Sequence, residues 1–561
     1  MLHKPNLIKI APFLLMIFFW IGCKNHQAVK EKEIVNTPEK MDDQVSENIK
    51  SYLLYAKGTN GVINDSLKLK RFDLVNSFYE KNNYRSVWSK METWNPIGDS
   101  MFDFIKNAKY SGLYPRDYHF KDLNHLRNKI DADSLTRMDA IAWTKADLML
   151  TDAFMETLKD LKEGRMLPDS VSIISKDNFA DSFFIKHLQN AVASGSVSTT
   201  FKNVEPNNQF YLSLKKLLPE FVDKMDTQNF TFIRFPYTDT LAFFQSIHER
   251  LLQDGIGKHS VKNPDSVEIS KEIKVYQSKH KLTADGKAGE ETIRNLNSFD
   301  NEKFRRIAVT LDRFKQFPSL PDNYLMVNLP SLSLKVWDHD TVVLQSKVII
   351  GKPATPTPLL SSSISNMVTF PNWTIPESII RKDILPALKI DPGYLDSKGF
   401  SLVDNKGDII DPYSVNWSKY KKGIPWKVVQ ASGADNALGI FKFNFNNPYS
   451  VYLHDTNQRY LFANSNRALS HGCVRVQNWE SLAFYIANRD SAANEGKHIS
   501  YNEDSIKTWI AKQSRKTIMI KKRLPLFIEY FTCEAKDDHI VFYKDVYGDD
   551  AQLEQKYFAD K

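Results

Sequence analysis

The stretch RALSHGCVRVQNW, residues 467–479, sets a histidine, a glycine and a cysteine side by side in a chain with only three cysteines. Glycine lets a backbone approach another group closely. A thiol beside an imidazole can ionise to the thiolate, which is the nucleophilic form. Taken alone, the triplet fits a buried cysteine with a hydrogen-bonded histidine better. What surrounds it has to decide.

Just upstream, SVYLHDT (450–456) alternates, sending Tyr452 and His454 to one face of a strand and Val451 and Leu453 to the other. His454 stands nineteen residues before Cys473, room for a strand, a loop and the approach to the cysteine. The spacing predicts a cleft face with an imidazole on one strand and a thiol on the next, as acyl transfer needs. The backbone N–H groups of Gly472 and Cys473 are natural donors to a tetrahedral oxyanion. His454, His471 and Cys473 are also zinc-ligand types. No fourth ligand has a plausible spacing, so no metal is expected, and acyl transfer by a thiol needs no cofactor.

Working outward, YLMVNLPSLSLKVWDHDTVVLQSKVIIGK (324–352) alternates through Leu332, Leu334 and Val336, turns at Asp338–Asp340 and returns. That is a β-hairpin. Strand-like segments continue to KTIMIKKRLPLFIEYFTC (516–533). Residues 376–436, rich in Pro, Asp and Gly, interrupt this pattern. Their scattered Ile384, Leu385, Leu388, Tyr394 and Leu395 predict a semi-rigid flap over the cleft.

The first half of the chain is helix-patterned. Leu67, Phe72, Val75, Phe78 and Tyr79 stand near helical spacing; Phe102, Ile105 and Ala108 precede Gly112, and Leu148, Ala153, Phe154, Leu158 and Leu161 precede Gly164. No catalytic cluster appears there, so residues 46–235 read as a helical scaffold. Residues 236–300 predict three helices. The first carries Leu241, Phe244, Ile247, Leu251 and Leu252, the second Ile269, Ile273 and Tyr276, and the third Ile293 and Leu296 after an Asp285-Gly286 turn.

With 561 residues and 42% apolar content, the chain is long enough for three or four domains. Its charge of +8 is spread along the chain and forms no basic block, which argues against nucleic acid as a partner. At the N-terminus, Lys4 and Lys9 lead into IAPFLLMIFFWIG, an apolar run that suits a signal peptide and spans a bilayer poorly. Gly22-Cys23 then resembles a bacterial lipobox, with Trp20 where such boxes carry Leu. Residues 1–23 would be removed or modified, Cys23 would carry lipid, and polar residues 24–45 would form a linker. An uncleaved anchor and an ordinary signal peptide are the alternatives, and all three export the chain. Cys473 and Cys533 would then meet an oxidising compartment, where one disulfide is an option. The SHGCVR context favours a working thiol.

The pair HD…SHGCVR is similar to the motif of the L,D-transpeptidases, and VNLPSLSLKVW, VIIGKPATPTPLLSSSI and FPNWTIPESI resemble their β-domain. The pattern YQxxHxLxxDGxxGxxTxxxLN (276–297) resembles a peptidoglycan-binding module. Over residues 65–550 the chain resembles the large scaffold-containing subclass of Gram-negative bacteria. The resemblance implies an α+β multidomain protein: helical scaffold (46–235), peptidoglycan-binding domain (236–300), mostly-β catalytic domain (301–530) with a capping insertion (376–436), and a C-terminal extension (531–561). It implies Cys473 as nucleophile and His454 as its base, with a backbone carbonyl just after the base as third member. His471 would orient substrate, Tyr452 and Trp373 would wall the donor pocket, Arg475 would hold a stem carboxylate or brace the loop, and Ser470 would orient His471. The implied activity is 3→3 crosslinking of peptidoglycan stem peptides through a thioester, in a periplasmic, lipid-anchored enzyme open to acylation by carbapenems. An L,D-carboxypeptidase and a lapsed wall-binding lipoprotein are the rivals.

Overall fold

The computed structural model describes residues 29–64, 67–166, 179–228, 230–257, 265–280, 282–317, 320–493 and 501–558. The apolar leader and Cys23, with the lipidation expected there, lie outside the described residues. No helix among the described residues is long and apolar enough to cross a membrane. The described residues fall into two compact units. One lies within Met1–Asp103, Arg116–Glu156 and Ala180–Val197, the other within Phe104–Pro115, Thr157–Phe179 and Ser198–Lys561.

The first unit is helical, and buried carboxylates organise it. Asp147 accepts hydrogen bonds from the Val87 and Trp88 N–H groups, each at 3.0 Å, and from the Tyr79 hydroxyl. Asp152 accepts from the Lys70 and Arg71 N–H groups and meets His119 Nε2 at 2.7 Å. Both acids project from the long helix Ala140–Lys162 and satisfy loop donors that burial would otherwise orphan. Burial pushes Asp147 up to about 6. Leu67 falls outside the helix predicted around it: Leu67–Lys68 pairs with Val62–Asn64 as a short hairpin, and the helix spans Phe72–Lys81. The Asp152 bonds to residues 70 and 71 fix that boundary. Residues 33–35, in the middle of the segment read as a linker, are held in place by Val35 N–H to Met138 O at 2.9 Å and by an Ile34–Asp139 bridge, and a helix begins inside that segment at Met41.

In the second unit, α1 (Thr240–Gln253), α2 (Ser266–Lys279) and α3 (Glu290–Leu296) share one small core. Asp239 caps α1 through the Leu241 and Ala242 N–H groups, so the buried stripe is Phe243, Ile247 and Leu251 at four-residue spacing. Leu241, expected in that stripe, is 55% exposed. Gln277 ties α2 to the turn before α3, accepting from Gly286 N–H at 2.8 Å and donating to Asp285 at 2.9 Å. Gly286 has φ +73°, and a Cβ there would stand 2.8 Å from Ser270 O, so the turn requires glycine.

Next come α4 (Asp300–Lys315) and nine strands: β1 (Asn323–Asn328), β2 (Ser333–Asp338), β3 (Thr341–Gly351), β4 (Leu360–Thr369), β5 (Phe441–Phe445), β6 (Leu453–His454), β7 (Ala468–Ser470), β8 (Val474–Val476) and β9 (Lys516–Glu529). Their order is β7-β3-β8-β6-β5-β4-β9-β1-β2, and a further β2–β3 pairing joins the ends of the run from β3 to β2. The hairpin predicted from Leu334 and Val336 is β2–β3, with Asp338 opposite Thr341. Alternation fills the interior with Leu334, Val336, Phe441, Phe443, Leu453, Val474 and Val476, and α5 (Trp479–Ala492) adds Trp479, Leu482 and Ile486. Residues 531–558, which end in α6 (Asp549–Phe558), fold back on α4: Arg313 pairs with Asp550 at 3.0 Å, and Phe558 shares a core with Phe304 and Ile307.

The insertion between β4 and β5 has a core of its own. Trp373–Thr374, Phe400–Val403, Ile409–Ile410 and Lys427–Gln430 form a four-stranded sheet. Ile384, Leu385, Leu388, Leu395, Leu402, Trp417 and Val428 are buried against it, with Tyr394 at the edge. It is a small folded cap.

Truncating Ile273, wholly enclosed in the three-helix core, should cost about 2–5 kcal/mol. Amide hydrogen exchange of Ile273→Ala is expected to lose protection across 240–296 and to keep it in β4 and β9.

Candidate active site

The pairing of three strands places the chemistry. β6 runs parallel to β8, with Leu453 opposite Val474 and His454 opposite Arg475. On its other side β6 pairs antiparallel with β5, setting His454 opposite Lys442. Residues directly opposite one another share a face of a sheet. A row Lys442–His454–Arg475 therefore crosses three strands, and Tyr452 and Cys473 stand one step before His454 and Arg475 on the same face. The opposite face carries Phe441, Phe443, Leu453, Val474 and Val476 into the core.

Cys473 keeps part of its surface open, and its Sγ lies 4.0 Å from Ser450 O. Burial pushes its thiol up. Hydrogen bonds from the Tyr452 backbone and side chain, then the charges of Lys442 and Arg475, push the other way. Trp373 Nε1 donates to the Tyr452 hydroxyl at 3.0 Å, which leaves the phenolic proton free to point at the sulfur.

His454 is buried, with Nδ1 held by the Asp455 carbonyl. That carbonyl is the one expected to orient the ring. The Asp455 carboxylate turns away, accepting from Ile440 N–H at 3.1 Å and pairing with Arg459 at 2.8 Å. Burial, then Arg475, and more weakly Lys442, push the imidazole down to about 3, against the pull of the Asp455 carbonyl. At neutral pH the ring is uncharged. No hydrogen bond links it to Cys473 in this structure, a looseness common where substrate is absent.

The loop between β7 and β8 differs from expectation in two places. Ser470 does not orient His471: its hydroxyl is buried, donates to Cys473 O at 2.6 Å and accepts from Gly472 N–H at 3.1 Å. Alternation turns Ser470 inward and His471 outward. Gly472 N–H is thereby occupied, so the oxyanion donor left from the expected pair is Cys473 N–H. His471 Nε2 instead meets Asp383 of the cap at 2.9 Å. Gly472 has φ +119°, a conformation glycine alone adopts easily. Behind it Thr357 Oγ1 donates to Gly472 O at 2.8 Å, and Tyr547, beyond the sheet in sequence, accepts from Thr357 N–H at 3.1 Å and donates to Gly351 O at 2.9 Å.

Among the described residues Arg475 forms no ion pair and its buried Nε has no partner; its Nη1 donates to Thr456 at 3.3 Å and Gln458 at 3.0 Å. Cys533 is a second free thiol, buried, 3.3 Å from Thr310 Oγ1 and pushed up to about 12 by desolvation, so the disulfide alternative does not hold. His454 and His471 turn to a carbonyl and to Asp383, away from a common centre with Cys473. Among the described residues no group of three or more His, Cys, Asp and Glu could hold a metal ion. Lys442 and Asp383 went unread in the sequence. Lys442 had one signal, a lone cation between Phe441 and Phe443 in an alternating strand.

Residues 322–489 match YkuD, the L,D-transpeptidase catalytic domain, and residues 73–218 match the scaffold domain. A protein of Haemophilus influenzae named as a candidate L,D-transpeptidase is 34% identical over 268 residues, 47% of this chain and 53% of that protein. The chain thus spans about half the length of the curated relative it matches. Among solved structures, an Enterococcus faecium L,D-transpeptidase aligns over 38% of this chain and 52% of its own, at 12% identity and a TM-score of 0.17. One from Stackebrandtia nassauensis aligns over 46% and 91%, at 17% identity and a TM-score of 0.15. The match to the L,D-transpeptidase catalytic domain spans β1–β8 and the cap, and so takes in Lys442, Tyr452, His454, Cys473 and Arg475. The scaffold match precedes it in the chain.

An imidazole titrating near 3 stays unprotonated through the physiological range, so its ionisation removes no activity there. Alkylation of Cys473 by iodoacetamide should rise steadily from about pH 5 to about pH 9 as the thiol ionises. An inflection near the ordinary histidine value, about 6.5, would mean that the ring carries charge.

Proposed function

We propose that the protein is a peptidoglycan L,D-transpeptidase that forms 3→3 crosslinks through a Cys473 thioester. The observation that carries this reading is the sheet face itself: an accessible thiol, hydrogen-bonded by Tyr452, one step from a neutral imidazole held by a carbonyl. Cys473 Sγ attacks the carbonyl of the third residue of a donor stem. The thiol proton passes through His454 to the leaving amine, the amide bond to the terminal D-Ala breaks, and a thioester forms. An amine on a second stem then attacks the thioester, gives up a proton through His454, and returns the thiol. Cys473 N–H is the donor placed for the oxyanion of both tetrahedral intermediates.

Tyr452 and Trp373, joined by their hydrogen bond, form one wall of the donor pocket. Arg475, part-exposed on the same face, suits a stem carboxylate. The three-helix module of 236–300 would bind peptidoglycan, and a lipid on Cys23 would hold the protein at a membrane facing the periplasm. The same thiol would be acylated by carbapenems.

The test is incubation of the purified protein with tetrapeptide-stem muropeptides, followed by mass spectrometry of protein and products. Crosslinked dimers and a transient acyl mass on Cys473 are expected. Shortened stems alone would make it an L,D-carboxypeptidase, and no product would leave a wall-binding protein. Cys473→Ala should abolish the adduct and the dimers. Cys533→Ala should leave both near normal, because that thiol, on the strand Cys533–Lys536, is enclosed against α4. His454→Ala should slow acylation about 10²–10⁴-fold.

A further inference from the structure

We propose that Lys442 is part of the reactive centre: its ammonium supplies the positive charge that stabilises the Cys473 thiolate. The inference rests on Cys473 being the nucleophile, and it gives the thiolate a different counter-ion from the imidazolium a Cys–His pair would offer.

The sheet register brings the group there. Lys442 is the cross-strand partner of His454 and shares a face with Tyr452 and Cys473. Its Nζ lies over the Tyr452 ring, 3.7 Å from the centroid, and the hydroxyl of that ring reaches the sulfur. A cation so close to an aromatic face is held in place by the ring quadrupole.

No carboxylate claims this ammonium. Lys442 makes no ion pair among the described residues, although it is half-buried. The nearby acids are engaged elsewhere: Asp455 pairs with Arg459 and Asp383 meets His471. The charged and titratable groups around Cys473 are His454 on β6 and Tyr452 just before it, Lys442 on β5 and Arg475 on β8, with the His471–Asp383 pair at the loop and cap. Two cations and no free anion work against the burial that pushes the thiol up.

His454 is poorly placed to be that cation. Buried between Arg475 and Lys442, it is pushed down to about 3, so an imidazolium there is disfavoured. Arg475 contributes, but its Nη1 is bound to Thr456 and Gln458. Of the two cations Lys442 acts on the thiol more strongly, and the negative sulfur in turn opposes the desolvation that lowers Lys442.

Thiol ionisation tests this apart from any peptidoglycan chemistry. Iodoacetamide labelling of the Cys473 peptide, followed by mass spectrometry across pH in the free full-length protein, reads it directly. Lys442→Met, which keeps the length and apolar stem, should raise the thiol pKa by about one unit and slow labelling at neutral pH about tenfold. Lys442→Arg should restore both, and a matched thermal melt will show that the Met variant is folded. If it is not, Lys442→Gln takes its place. An unchanged titration with only a raised KM for muropeptides would make Lys442 a substrate-carboxylate binder and overturn the proposal. A normal titration shift in a protein without transpeptidase activity would instead uphold the counter-charge and count against the proposed reaction.

Discussion

The site depends on a very short stretch of parallel pairing. β6 contributes only Leu453 and His454, yet its register against β8 fixes where five functional side chains stand. Val474 N–H reaches Tyr452 O at 3.2 Å, which sets Cys473 beside Tyr452. Two residues of hydrogen bonding would not hold such a register alone. The apolar face does: Leu453, Val474 and Val476 are fully enclosed against Phe441 and Phe443. A slip by one residue would carry Tyr452, His454 and Cys473 into the core and those apolar groups into the cleft. Enclosing each large apolar side chain contributes about 1.5–3 kcal/mol, so several together outweigh the strand's own hydrogen bonds.

Once the register is fixed, the electrostatics follow from desolvation. Two unit charges about 4 Å apart interact by about 1 kcal/mol in water and about 4 kcal/mol at the effective dielectric of a protein surface. Lys442 and Arg475 act at the stronger end of that range because burial thins the water around Cys473 and His454. The same burial raises the thiol and lowers the imidazole. At rest a neutral thiol stands beside a neutral imidazole, and in the proposed reaction the two cations meet the charge that appears when the proton moves. That arrangement places stabilisation where charge develops instead of where it rests.

Much of this was legible in the residues. The alternation of SVYLHDT separates Tyr452 and His454 from Val451 and Leu453, and the structure separates them the same way, with Val451 and Leu453 in the core. The β2–β3 hairpin and the three-helix core were equally readable, since each has a period that only one element satisfies. The misreadings have separate physical causes. Leu241 was placed in a buried stripe because spacing alone does not show where a helix starts, and Asp239 starts it. Ser470 was assigned to its neighbour His471, but adjacent residues on a strand point apart. Lys442 and Asp383 meet the site through partners far off in sequence, and no local pattern encodes a register between distant strands. The buried Asp147 and Asp152 escaped notice for the same reason, because the loops they bind lie about sixty to eighty residues away.

The loop that bears the cysteine is held very differently on its two sides. Behind it, buried neutral hydrogen bonds run from Ser470 to Cys473 O, from Thr357 to Gly472 O and from Tyr547 to Gly351 O. Leaving any of these groups unpaired would cost about 1–3 kcal/mol, so the backbone around Cys473 is firmly set. In front stands the contact of His471 with Asp383, whose side chains are 37% and 43% exposed. A pair so open to water is worth about 1 kcal/mol or less. Asp383 also sits in a single π-helical turn, Ile380–Ile384, a local irregularity that recurs at functional sites. The cap's own core of Ile384, Leu385 and Leu388 does not depend on that contact. Breaking it therefore leaves both the cap and the cysteine loop folded, and the strong bonds lie where geometry must not change.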